Sequence, residues 1–399
     1  MKRLWIISEL FYPNESATAF ILTEMAKFFS QKYEVNVICA DTNYENDTKR
    51  ITDDSSTANL AEEGINIYRV QLPELDKNNI FKRLIRFMTV SRKLYNKAKE
   101  LVAPGDIVFA VTNPAFLLPY LRRLKISKKV EYILLVHDVF PENAFEVGML
   151  KSNFLYKMLK RYFDKAYAAA DKILVLGEDM KERIGEKIGR TDNINICENW
   201  GASDIKHVER KENGKVVLQF AGNLGRVQGL PQLMDIILKL HNDSLVFDFW
   251  GSGAMVPTLN EFKSQHHLDN IRIRGSYSRS TQIEVLNDCD IAIVCLAKGM
   301  KGLGVPSKTY NILASGHPIL YIGDKGSEIY NLVESENIGI AYDWEHISDL
   351  IAWLDNLKVE DMNELKEKGK RARTCFERFY TQEIILNKTL AIIDKPVAN

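Results

Sequence analysis

The chain has 399 residues, 46% of them hydrophobic, with 53 basic and 53 acidic side chains. That length supports two domains with separate cores. The balanced charge supplies no global field for nucleic acid, and no apolar run reaches the eighteen or so residues that span a membrane, so contact with either polymer or bilayer is confined to local patches.

In chain order, RLWIIS, YEVNVICA, GINIYRV, DIVFAV, EYILLV and DKILVL are the strand candidates before residue 180. Helical spacing separates them over 18–32, 81–101, 115–125 and 152–170. Runs apolar on both faces belong to strands covered on both sides, which predicts a parallel α/β sheet. The opening MKRLWIIS meets Glu9 after a short apolar run and reads as a first strand rather than a leader. After the polar interval SDIKHVERKENGK (203–215), the runs VVLQFAG, LVFDFWG, IRIRGS, CDIAIVCL and PILYIG alternate with helical stretches near 229–240, 254–263, 279–287 and 306–315. The expected organisation is therefore a first α/β domain over 1–201 and a second over 202–375. ERFYTQEIILNKTLAIIDK, within 376–399, reads as a terminal amphipathic helix. Parallel sheets gather functional loops at their strand carboxyl ends, so the cleft between two such domains is the expected site. A paired scaffold without chemistry is the bland alternative.

Cys39, Cys197, Cys289, Cys295 and Cys375 are scattered and odd in number, which favours free thiols in a reducing compartment. Neither C-x-x-C nor H-E-x-x-H occurs, so no metal site is expected.

The loops carry more detail. YPNESATAF (12–20) enters the first long helix, and Asn14, Ser16 and Thr18 offer donors to a ligand or simply cap the helix. It is not a G-x-G-x-x-G loop. LLVHDVFPENAF (134–145) sets His137 and Asp138 straight after a strand, ahead of Pro141 and Glu142. His137 can donate to a substrate oxygen with Asp138 orienting it, or both can be structural. In QFAGNLGRVQGL (219–230), Gly222 and Gly225 let backbone approach a ligand, Asn223 lies between them, and Arg226 can add a phosphate contact. WGSGAM (250–255) repeats the device with Gly251 and Ser252, and IRGSYSR (273–279) places Ser276 and Tyr277 where a nucleobase would meet backbone groups.

CLAKGMKGLGVPSKTYNILASG brings Lys298, Lys301 and Lys308 near Gly304. Pro306 and Ser307 suit a helix start, with Lys308 in its first turn. A cation there opposes the helix dipole, which becomes sensible if a diphosphate occupies the terminus; the alternative is a solvated lysine. NNIFKRLIRFMTVSRKLYNKAKE (78–100) interleaves Phe81, Leu84, Ile85 and Met88 with Lys82, Arg83, Arg86, Arg92 and Lys93. It reads either as a core-packed helix with a charged outer face or as one resting on anionic lipid.

SELFYPNESATAF, HDVFPE, FAGNLGRVQGL and GVPSKTYNILASGHPIL, in that order, resemble the retaining nucleotide-sugar glycosyltransferases of family 4. They look especially like the bacterial subgroup that builds O-antigen, capsule or exopolysaccharide repeats, which includes transferases of N-acetylated deoxysugars. The resemblance covers nearly the whole chain. It implies a GT-B fold, two Rossmann-like domains facing a central cleft, and a terminal helix returning to the first. It implies a nucleoside diphosphate sugar, with UDP the expected nucleotide, held mainly by the second domain, and no required metal. A lipid-linked or soluble saccharide acceptor would be held by the first domain, with Asn14, Ser16, Thr18, Asp138 and Glu142 on that side. By the same resemblance His137 faces the donor sugar, Gly222 and Gly225 form the phosphate loop, and Ser307 and Lys308 match the Pro-Ser-Lys element. The implied location is cytoplasmic, with peripheral contact at the inner membrane face. The chain departs from the family at Asn223 and Gln228, where Arg and Lys are usual, and at Lys301 and Thr309, where a pair of glutamates is usual. Lys308 and Arg226 would supply the positive charge, and the ribose contact has no assigned residue. A sugar-nucleotide epimerase of the same fold and a non-catalytic sugar-nucleotide binder are the rival readings.

Overall fold

A computed structural model describes residues 1–14, 16–41, 51, 55–72, 80–210 and 214–397, the side chains of 55–58 and 80–84 excepted. Phe81, Lys82, Arg83 and Leu84 of the basic helix therefore lie outside the described side chains. Two compact units result, one of residues 1–145, 150–197 and 386–399, the other of 146–149 and 198–385.

The first unit runs β1 (Arg3–Ile7), α1 (Ala17–Ser30), β2 (Glu34–Ala40), α2 (Ser55–Glu62), β3 (Ile65–Val70), α3 (Ile80–Leu101) and β4 (Ile107–Val111). It continues through α4 (Leu118–Lys128), β5 (Glu131–Val136), α5 (Glu142–Glu146), α6 (Asn153–Tyr167), β6 (Lys172–Val175), α7 (Glu178–Ile188) and β7 (Ile194–Ile196). All seven strands pair in parallel, in the order β3-β2-β1-β4-β5-β6-β7. Strands such as IVFAV and ILLV are buried at every position, as expected of strands with helices on both faces. The buried Asp106 carboxylate accepts from Trp5 Nε1 at 2.9 Å and from Arg3, joining the starts of β1 and β4.

The second unit contains β8 (Val216–Ala221), α8 (Leu230–Ile237), β9 (Leu245–Trp250), α9 (Val256–Gln265), β10 (Ile271–Gly275), α10 (Gln282–Asn287) and β11 (Ile291–Cys295). It then adds α11 (Lys308–Ser315), β12 (Ile319–Gly323), α12 (Glu328–Glu336), β13 (Gly339–Asp343), α13 (Ile347–Asn356) and α14 (Met362–Phe379). Its six parallel strands follow the order β10-β9-β8-β11-β12-β13. Phe220, Phe247, Phe249, Ile291, Ile293, Leu320 and Ile322 form the centre of its core.

Both units are Rossmann-like α/β sheets, as the sequence predicts. The terminal segment differs: it is two helices, not one. α14 stops at Phe379; Gly201 N–H then donates to the Tyr380 carbonyl at 3.1 Å, and Gly201 bridges Thr381 before α15 (Gln382–Asp394) begins. The far end of α15 packs within the first unit. There Asp394 accepts from Lys32 and from the Tyr33 hydroxyl at 2.5 Å each, and buried Lys172 donates to the Ile393 carbonyl at 2.8 Å.

Candidate functional site

In each sheet the strand order reverses between two neighbours, β1 and β4 in the first and β8 and β11 in the second. Ligands of open α/β sheets bind outside the strand carboxyl ends at such switch points, because the flanking loops diverge there and leave a crevice. In the second unit, β8 is followed by Gly222 at φ +133°, and β9 by Gly251 at +132° and Gly253 at +154°. Gly222 N–H donates to the Trp250 carbonyl at 2.9 Å, Leu224 N–H to Ser252 at 2.8 Å, and Gly251 N–H to Gly275 at 2.6 Å. The three strand-end loops are thus stitched together by backbone alone. A Cβ on Gly251 would collide with the Gly222 carbonyl, so a side chain is sterically barred as well as conformationally disfavoured.

Across the switch point stands Lys308, the first residue of α11. Its Nζ is shut off from solvent and has no hydrogen-bond partner among the described residues. It lies 3.0 Å from the centroid of the Phe220 ring and 3.9 Å from where a Cβ on Gly222 would sit. Burial pushes its ammonium well below the ordinary lysine range. The ring quadrupole offsets part of that desolvation, but an anion would offset far more. Ser307 is expected to cap this helix; instead it sits in right-handed helical geometry and its side chain makes no cap bond, while the Thr309 and Tyr310 amides donate to the Pro306 and Ser307 carbonyls at 3.1 and 3.3 Å. Five further polar atoms of this unit are buried without partners among the described residues, and Thr309 Oγ1, Gln228 Oε1 and Trp250 Nε1 are three of them, beside Trp200 Nε1 and Asp248 Oδ2.

The remaining predicted residues of this unit divide. Asn223 is exposed, with its side chain folded against Gly225. Ser252, Ser276 and Arg226 are exposed, Gly304 is half-buried and Pro306 is buried. Tyr277 meets Trp250 edge-on at 6.3 Å, and the Arg274 guanidinium lies 5.7 Å from the same Trp250 ring. Lys301 and Lys298 are placed elsewhere: the Lys301 amide binds Asp324, and Lys298 lies beside Gln232 and Trp344.

In the first unit, one hydroxyl organises the β5 loop. The N–H groups of His137 and Asp138 both donate to Thr112 Oγ1 at 3.2 Å, from the end of β4. Nε2 of His137 is buried without a partner among the described residues, and burial pushes its imidazole down to about 4, so the ring is neutral at pH 7. The surrounding protein raises the Asp138 carboxyl to about 6, against a hydrogen bond from Asn143. Because the Asp138 side chain is itself exposed, solvent screening trims that shift, and the group is ionised at neutral pH. Asn14 is buried and donates to the Phe11 carbonyl at 3.0 Å; Ser16 caps α1 by accepting from Ala19 N–H; Thr18 is half-buried. Glu142 is turned inward, 1% exposed, and paired with Lys187 at 2.6 Å, which also holds Asp164 at 2.6 Å. On α3, Arg86 is drawn in by Glu9 at 2.7 Å, while Ile85 and Met88 stay exposed.

Thr112, Phe220 and Trp250 were not among the residues expected at the site. Phe220 and Trp250 look like ordinary strand apolars in the sequence. The available signal is position: each stands within two residues of a positive-φ glycine at a strand end. Among the described residues no cluster of three His, Cys, Asp or Glu side chains is placed to hold a metal, and no helix is long and apolar enough to cross a membrane.

Comparison with known proteins agrees with this fold. Residues 19–200 match the profile of Glycosyltransferase Family 4. A Pseudomonas aeruginosa protein named probable glycosyltransferase WbjE is 28% identical over 98% of both chains. The structure of Anabaena HepE in complex with UDP and glucose superposes with a TM-score of 0.70 at 13% identity, covering 99% of this chain and 100% of the other. Sucrose-phosphate synthase from Thermosynechococcus elongatus superposes with a TM-score of 0.75 at 10% identity, over 98% of each chain. The chain is related to Glycosyltransferase Family 4, and its two units have the GT-B fold.

Proposed function

We propose that this chain is a retaining glycosyltransferase that moves a sugar from a nucleoside diphosphate to a saccharide acceptor during synthesis of a surface polysaccharide. The observation that carries the reading is the buried, unpartnered ammonium of Lys308 beside the glycine-lined ends of β8 and β9. A desolvated cation at the start of a helix is costly to hold empty and binds strongly when a diphosphate arrives. The relatives named for glycosyl transfer, and the solved neighbour holding UDP, favour UDP as the nucleotide.

In this reading, Gly222, Gly225 and Gly251 bring backbone to the diphosphate while Lys308, with exposed Arg226, neutralises it. Ser252, Ser276 and Tyr277 face the nucleoside. In the transfer, the bond from the anomeric carbon to the distal phosphate oxygen breaks and a bond to an acceptor hydroxyl forms. The acceptor proton passes to the leaving phosphate, so no protein nucleophile is needed. Donors already aimed at the leaving group stabilise the charge that develops there. Neutral His137 steadies the donor sugar, with Thr112 fixing the loop that carries it. Asn14, Ser16, Thr18 and Asp138 are the acceptor-side residues, whereas Glu142 serves through its ion pair with Lys187. The sugar is an N-acetylated deoxyhexose or a hexose, and the acceptor a lipid-linked saccharide at the inner face of the cell membrane.

A thermal-shift panel of UDP, GDP, ADP, CMP and dTDP, with Lys308→Ala alongside, tests the assignment. Saturating UDP at about 100 times its Kd stabilises the native state by about 2.7 kcal/mol. Stabilisation by UDP that the variant loses supports the reading. An equal shift in both proteins, or none with any nucleotide, sinks it. Conversion of a UDP-sugar to its epimer without acceptor would point to an epimerase instead.

A further inference from the structure

We propose that Tyr167, the last residue of α6, is a positioning residue for His137 and holds the loop that presents it. Tyr167 is fully buried, and its hydroxyl accepts the Phe140 N–H at 3.1 Å. That amide lies three positions beyond His137 and two beyond Asp138. The inference rests on the role given above to His137 and adds a residue that fixes it.

The loop commits its polar groups to buried partners from three other elements. The His137 and Asp138 amides donate to Thr112 at the end of β4, the Phe140 amide donates to Tyr167 on α6, and the Glu142 carboxylate meets Lys187 of α7 at 2.6 Å. Val139, between the first two grips, is buried as well. The grips are linked to one another: the Lys187 ammonium lies 5.2 Å from the Tyr167 ring centroid, so the ring backs the lysine that holds Glu142 while the hydroxyl holds Phe140. A buried amide stripped of its acceptor costs the full desolvation of that group, so the loop cannot leave Tyr167 without carrying Phe140 N–H to water. What the loop keeps for chemistry is Nε2 of His137 and the exposed carboxylate of Asp138. Burial by itself does not bring an amide to a tyrosine hydroxyl in this unit. Tyr132 on β5 is equally buried, and its Oη has no partner among the described residues. A functional imidazole has to stay within about 0.5 Å of its productive place, and a loop keeps that tolerance only through anchors outside itself.

Tyr167→Phe deletes the acceptor and keeps the ring under Lys187. Tyr132→Phe, which removes a hydroxyl without a hydrogen-bond partner, is the control. Hydrogen exchange of the full chain, read by mass spectrometry with fragmentation to single amides, is the first measurement. Losing one hydrogen bond frees the loop by about tenfold, so the His137 and Asp138 amides, whose own acceptor Thr112 is untouched, should exchange about tenfold faster in Tyr167→Phe. Amides of β2 and β8 should keep their rates, and Tyr132→Phe should match wild type throughout. The second measurement is steady-state release of UDP from UDP-glucose and UDP-N-acetylglucosamine, in which Tyr167→Phe should lower kcat about 10- to 100-fold and leave the donor KM unchanged. Wild-type exchange at His137 and Asp138 in Tyr167→Phe, faster exchange spread evenly over the first unit, the same effect from Tyr132→Phe, or a loosened loop with unchanged kcat would overturn the proposal. A wild-type protein that neither releases UDP nor melts later with it counts against the transferase reading instead, and the exchange rates alone then decide whether Tyr167 holds the loop.

Discussion

Replacing Lys308 with Met should move stability and ligand binding in opposite directions. Met preserves most of the aliphatic packing against Phe220 and removes a desolvated ammonium that has no partner in the ligand-free protein. Replacing a buried ion pair by apolar groups of similar volume is often neutral or stabilising by about 1–4 kcal/mol, and an ammonium without a counterion gives up no Coulombic partner in the exchange. For a unit of this size, each kcal/mol corresponds to about 2–4 °C in melting temperature. The same change deletes a charge-assisted contact to the diphosphate worth about 1.5–3 kcal/mol, which raises the UDP dissociation constant about 10- to 100-fold. The pH dependence adds a second signature. Burial lowers the folded lysine below its ordinary 10.5, so between the two values the unfolded chain holds more protons and stability rises with pH. That upward slope should be present in the ligand-free wild type and absent from Lys308→Met. Differential scanning calorimetry from pH 7 to 10, with and without UDP, reads all three effects. A ligand-free variant that melts earlier, keeps the slope and binds UDP as tightly as wild type would refute the reasoning.

Gly251→Ala should abolish the UDP thermal shift and destabilise the second unit by about 1–3 kcal/mol, since its Cβ collides with the Gly222 carbonyl at a positive φ. Lys187→Ala should cost the first unit about 3–5 kcal/mol, because it strands Glu142 in the interior with Lys160 3.7 Å away as its remaining cation; thermal melting reads the loss. His317, pushed down to about 3 by burial and by neighbouring His207, and His137 at about 4 enter the fold uncharged. Both values lie below the ordinary 6.5, so their stability is intact above pH 6.5 and is lost as pH falls toward 4. His317→Gln, which can still meet Asn287, should melt with a weaker dependence on pH across that window.

Much of this fold is legible from hydrophobic runs because both sheets are parallel and covered, so their inner strands are apolar at nearly every position. The strands that escape are the ones where that condition fails. β7 is three residues long, and β13 lies at a sheet edge with its three central side chains half-buried, so neither shows a run. The terminal helix looks continuous because its apolar periodicity crosses Tyr380 undisturbed; at the break, Gly201, 179 positions earlier, donates its N–H to the Tyr380 carbonyl. At the site, the glycine loops and Lys308 are visible because strand-end glycines and a first-turn lysine are locally unfavourable choices. Thr112 and Phe220 are invisible because each is locally ordinary and gains its role only from what the sheet places beside it. Glu142 carries the opposite lesson. Its place in the HDVFPE loop points to ligand contact, and the structure gives it to a lysine 45 positions away.

The central claim is that the buried ammonium awaits a diphosphate, and a crystal structure with UDP tests it most directly. The account predicts both phosphates at the ends of β8 and β9, with Lys308 Nζ and the Gly222 loop amides in hydrogen-bond contact with phosphate oxygens. UDP bound elsewhere, or seated there with Lys308 still turned onto Phe220 and touching no phosphate, would contradict it.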